Sequence, residues 1–91
     1  MGAVTEAIRD KLSTAFAPDR LEVEDDSARH HGHAGATPGG ESHFNVVIES
    51  GAFKGMGRVQ RQRAIYAALS EELAGPVHAL SVKALAPGET A

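Results

Sequence analysis

The sequence predicts an α+β fold with the order αββαβ, a three-stranded mixed sheet carrying both main helices on one face. Three observations point to it. Val4, Ile8, Leu12 and Phe16 recur every fourth position, as on one side of an amphipathic helix. Two short segments, 21–24 and 42–50, alternate in hydropathy as half-buried strands do. A second helical segment, Arg58 to Ala74, then precedes a third alternating one, Val77 to Leu85. A strand, a crossover helix and a strand imply a parallel pair.

Each element has its own signals. Pro18 marks the end of the first helix. Leu21-Glu22-Val23-Glu24 reads as a strand with one wet face, closed by Asp25, Asp26 and Ser27. Residues 28–40 contain His30, His31, His33, Pro38 and four glycines, a composition unsuited to a helix or strand interior and expected to form a flexible loop. In the second strand Phe44, Val46 and Ile48 share one face, and His43, Asn45 and Val47 the other. Gly51, Gly55 and Gly57 break the chain before the second helix, where Val59, Gln62, Ile65, Tyr66, Leu69 and Leu73 fall near one face. Gly75-Pro76 stops that helix. In the third strand Leu80, Val82 and Ala84 share a register. The 91 residues form a single domain, 1–91, with a core over about 4–87 and a polar tail at 88–91.

Composition excludes several function classes. Without cysteine there is no thiol catalysis, no disulfide and no Cys-based zinc motif. No serine sits in a nucleophile elbow, and the glycines of 51–57 do not make a Walker pattern, so an enzyme is not expected. No apolar run is long enough to span a bilayer and the N-terminus lacks a signal-peptide layout, so a soluble cytoplasmic protein is expected, with no membrane association. A formal net charge of −3 argues against a dedicated nucleic-acid binder, for which phosphate neutralisation dominates affinity.

Strand directions have a consequence for the histidines. Parallel second and third strands start at the same edge of the sheet, and the loop after the first strand ends there. All five histidines, His30, His31, His33, His43 and His78, are therefore expected to gather at that edge. Ordinary polar residues, a mononuclear site for a divalent ion, and a site shared with a partner are the alternative readings. Two imidazoles can replace two thiolates on one iron of a [2Fe-2S] centre, so a cysteine-free chain could contribute imidazole to a cluster whose other ligands are borrowed sulfurs. A second feature is basic: Arg58, Arg61 and Arg63 crowd the start of the second helix while Glu71 and Glu72 stand near its end, against the helix dipole. That points to an anionic partner, with an ordinary solvated face as the alternative.

Taken in order, Leu21-Glu-Val-Glu-Asp-Asp-Ser27, Glu41-Ser-His-Phe-Asn-Val-Val-Ile48, Phe53-Lys-Gly55, Arg61-Gln-Arg63 and Glu72-Leu-Ala-Gly-Pro-Val-His-Ala-Leu-Ser81 resemble the BolA family, from about Val4 to Pro87. The resemblance implies a KH-like (class II) fold and an adaptor that binds a monothiol glutaredoxin and shares or transfers a [2Fe-2S] cluster. It implies His78 as one cluster ligand and His30 as the second, with His31 and His33 as alternatives, in a His-type subgroup. Glutaredoxin cysteine and glutathione sulfur would complete the set, so no cofactor is expected in the isolated chain, which is expected to be a monomer when free. The resemblance also carries a second expectation, a DNA-binding transcriptional regulator using the basic second helix. The family's Arg-His-Arg is here Arg61-Gln-Arg63. Partner or nucleic-acid contact is expected at Arg58, Arg61, Arg63 and His43.

Overall fold

The computed structural model describes residues 2–26 and 43–89. Helix α1 (Ala3–Phe16) is followed by strand β1 (Arg20–Asp25), strand β2 (His43–Glu49), a 3-10 turn (Gly51–Phe53), helix α2 (Arg58–Ala68), a short helix α3 (Ser70–Ala74) and strand β3 (Ala79–Leu85). The strands lie in the order β1-β2-β3. β1 is antiparallel to β2, with Leu21 opposite Ile48 and Asp25 opposite Phe44. β2 is parallel to β3, with His43 opposite Ala79 and Glu49 opposite Leu85. The α+β architecture and the parallel pairing of β2 with β3 agree with the sequence expectation, and the structure places β2 at the centre of the sheet.

The alternation in β2 decides which face is covered. Phe44, Val46 and Ile48 are buried, while His43, Asn45, Val47 and Glu49 between them are half-buried. Leu21 and Val23 of β1 and Leu80, Val82 and Ala84 of β3 extend the same apolar face. Ile8 and Leu12 of α1, Ile65 of α2 and the following Leu69 close over it, all at most 1% exposed. Each such side chain removed from water contributes roughly 1.5–3 kcal/mol.

Between β2 and α2 the three glycines act as a compact element rather than a simple break. Phe53 is fully buried, and its ring centroid lies 5.1 Å from that of Phe16. The Ser50 hydroxyl donates to the Phe16 carbonyl oxygen at 2.6 Å and accepts from the Ala52 N–H at 3.1 Å. One buried hydroxyl thus ties the C-terminal end of α1 to the 3-10 turn. Gly55, at φ 78, follows Lys54 at φ −59 and ψ 132, and the Met56 N–H donates to the Phe53 carbonyl oxygen at 3.1 Å. This is a type II turn, whose third residue needs a positive φ and so favours glycine.

The second helix departs from expectation in two ways. It is not continuous over 58–74: Leu69, at φ −106 and ψ 21, separates α2 from α3. The bend puts Glu71 and Glu72 in the first turn of α3. There they accept hydrogen bonds from Lys11 of α1, with N···O distances of 2.8 Å to Glu71 and 2.7 Å to Glu72. The Lys11 ammonium holds the Glu71 carboxyl below the usual carboxylate range, chiefly through that hydrogen bond. The acidic pair therefore lies at a helix start and on a cation, not at the wrong end of a long dipole. Second, Val59 is 59% exposed, although its spacing placed it with the inward stripe. The inward line is Arg61, Ile65 and Leu69, and Val59, two residues from Arg61, points about 200° away. Gln62 is exposed as well.

Candidate functional site

Parallel pairing brings the starts of β2 and β3 to one edge. His43 is the first residue of β2, and His78 immediately precedes Ala79, its neighbour in the register. Their ring centroids are 6.4 Å apart with an interplanar angle of 28°, a stacked pair formed across 35 residues of sequence. His78 is exposed and His43 half-buried. β1 ends at the same edge: Asp25 pairs with Phe44, and the Asp26 N–H donates to the His43 carbonyl oxygen at 2.7 Å. Both flanks of segment 27–42 therefore meet beside His43. His30, His31 and His33 belong to that segment and lie outside the described residues. Among the described residues no group of three or more His, Asp or Glu side chains is arranged to hold a metal ion. Two imidazoles supply half of a tetrahedral set.

The basic residues separate into two kinds. Arg58 and Arg63 are exposed. The Arg61 guanidinium is directed inward: its Nε donates to the Met56 carbonyl oxygen at 2.9 Å, and Nη1 donates to that of Ala84 at 3.0 Å. Nη1 and Nη2 also bind Glu89, at 2.5 and 3.0 Å. The Ala86 N–H donates to Glu89 Oε1 at 2.9 Å. The guanidinium, followed by the Ala86 N–H, pulls the Glu89 carboxyl down to about 2. Sequence reasoning assigned Glu89 to a polar tail. No local pattern joins residues 61 and 89; the signal for the chain's return is Pro87-Gly88, with Gly88 at φ 89.

A BolA-like protein family model matches residues 12–89. The chain belongs to the BolA-like family. It is 48% identical over 89 residues to BolA-like protein 1 of Pongo abelii, a match covering 98% of this chain and 62% of that protein. The chain thus spans less than two thirds of that relative's length. It is 47% identical over 79 residues to the DNA-binding transcriptional regulator BolA of Escherichia coli K12, covering 87% of this chain and 71% of the other. Among solved structures, the BolA domain of SufE1 from Arabidopsis thaliana superimposes with a TM-score of 0.88 at 44% identity, covering 99% of both chains. Family and fold thus agree with the resemblance drawn from the ordered motifs. Within this BolA-like chain no helix among the described residues is long and apolar enough to cross a membrane.

Proposed function

We propose that this BolA-like chain is a non-catalytic, cytoplasmic adaptor that binds a monothiol glutaredoxin and shares or transfers a [2Fe-2S] cluster held between the two proteins. The observation that carries the reading is the His43–His78 pair at the sheet edge where segment 27–42 leaves and returns. In the proposed complex the cluster is cargo. His78 supplies one imidazole, and the second comes from His30, with His31, His33 and the adjacent His43 as alternatives. The partner cysteine and glutathione supply sulfur, which this chain lacks. Imidazole in place of thiolate raises the cluster potential. Exposure of His78 supports access by a partner.

The test mixes the chain with a monothiol glutaredoxin, iron, sulfide and glutathione. A visible spectrum distinct from that of the glutaredoxin homodimer is expected. His78→Ala should abolish the difference, and single alanine variants of His30, His31, His33 and His43 should identify the second ligand. An unchanged spectrum and unchanged complex affinity for His78→Ala would exclude the ligand assignment.

The Escherichia coli relative's name favours a second reading, DNA binding through Arg58 and Arg63 on the exposed face of α2. It requires duplex affinity that falls steeply with salt. Binding that is insensitive to charge reversal at these two arginines would eliminate it.

A further inference from the structure

We propose that the groove between α2 and the outer edge of β3 is a docking site for an extended acidic peptide segment of a partner protein, and that Glu89 occupies its carboxylate seat in cis. The groove encloses about 570 Å³ and is lined in part by Met56, Arg58, Arg61, Val82, Lys83 and Glu89. It lies at the opposite end of β3 from His78 and is independent of the cluster reading.

Three observations support the assignment. First, the seat is built around Arg61. The Met56 and Ala84 carbonyls fix its guanidinium, and the remaining donors converge with the Ala86 N–H on one carboxylate. Fork-like pairing of this kind is specific for carboxylate geometry. The Arg61 side chain is 13% exposed and that of Glu89 44%, so the receptor is sunk and its occupant lies at the surface. Second, the occupant is held by a short turn: the Glu89 N–H donates to the Ala86 carbonyl oxygen at 3.0 Å, with Gly88 between them. Its release requires rearrangement of that turn, not of the core. Third, the adjoining strand edge keeps one outward position open to an extended backbone. The Leu85 carbonyl points toward β2, where it accepts from the Ser50 N–H at 2.9 Å. Alternation along the strand turns the backbone groups of Leu80, Val82 and Ala84 outward. The Tyr66 hydroxyl covers the Leu80 carbonyl and Arg61 that of Ala84, leaving the Val82 position between them facing the groove. An uncovered edge position such as that of Val82 can pair with an added extended segment. Arg58, Arg61 and Lys83 against the single carboxylate of Glu89 make the groove locally basic in a chain of net charge −3, which selects an acidic segment.

The test titrates the isotope-labelled full chain with the peptide acetyl-Thr-Val-Thr-Val-Glu bearing a free C-terminus, with its neutral Gln-amide analogue as control. Shifts are expected at the amides of Val82, Ala84 and Ala86 and at Arg61 Nε, with the acidic peptide only. A cis occupant lowers apparent affinity by the fraction of open seats, so Glu89→Gln should bind roughly three- to tenfold more tightly. Arg61→Gln should lose binding; Lys83→Glu, which leaves the seat intact, should weaken it and serves if Arg61→Gln does not fold. Equal affinity of the original chain and Glu89→Gln, shifts centred elsewhere, or response to duplex DNA but not to the peptide would each overturn the proposal.

Discussion

Two polar residues carry more of the structure than their types suggest. Glu89 is ionised far into the acid range because Arg61 and the Ala86 N–H both favour its charged form. Its folded pKa lies below the ordinary value, so the ion pair contributes stability that is present above that value, 4.5, and is lost as pH falls toward about 2. A carbon-detected NMR titration should show the Glu89 carboxylate protonating well below the ordinary glutamate range as acid is added, with its midpoint near 2. Arg61→Gln should raise that midpoint toward the ordinary glutamate range, with the Ala86 N–H still holding it somewhat below. Ser50 is 1% exposed and satisfies two backbone groups at once. Ser50→Ala removes two part-buried hydrogen bonds, to the Phe16 carbonyl and from the Ala52 N–H, at a combined cost of about 1–3 kcal/mol. Urea denaturation should show the midpoint falling with little change in slope.

At the scale of elements, the short connections behave as core. The 3-10 turn places Phe53 under the helices beside Phe16, and Phe53→Ala should cost about 3–5 kcal/mol. Against a typical total of roughly 5–15 kcal/mol, thermal melting should show that variant unfolding at a lower temperature than Ser50→Ala. α1 ends differently. Ala17 has φ 44, and its N–H donates to the Ser13 carbonyl oxygen. A left-handed cap strains alanine and suits glycine. Ala17→Gly should therefore stabilise the fold by roughly 0.5–1 kcal/mol, measured by the same melt. The bend at Leu69 converts an apparent clash of charge with helix dipole into two acidic side chains sharing Lys11. Glu71 and Glu72 occupy the first turn of α3, where carboxylates suit the helix dipole.

Across the whole molecule, the two candidate surfaces lie at opposite ends of β3 and make different demands. The His edge has imidazoles and no thiol, so the isolated chain incubated with iron and sulfide and then desalted should show no visible cluster band. The same treatment with the glutaredoxin present should leave one. Retention of a cluster by the chain alone would contradict a shared site. The groove demands charge complementarity, and its occupancy should weaken with salt as exposed charges are screened. Titrations that vary one site's ligand while the other is filled would show whether the two communicate.

Periodicity alone specified the strands, α1 and the buried faces of Phe44, Val46 and Ile48, because burial in a one-sided sheet is written in alternation. Strand direction followed from the crossover, and with it the meeting of His43 and His78, since chain connectivity leaves parallel strands starting at a common edge. Tertiary packing decided what had no local signature. Arg61 reads as a surface cation in a basic helix start, yet the outer edge of β3 supplies carbonyls that draw it inward and a returning turn supplies its carboxylate. Val59 fits an inward stripe that the first turn of α2 turns away from the sheet. Contacts between residues 61 and 89, or between Lys11 and Glu72, exist because separate elements dock. A linear pattern records which side of an element is apolar, but not which polar partner waits on the element it meets.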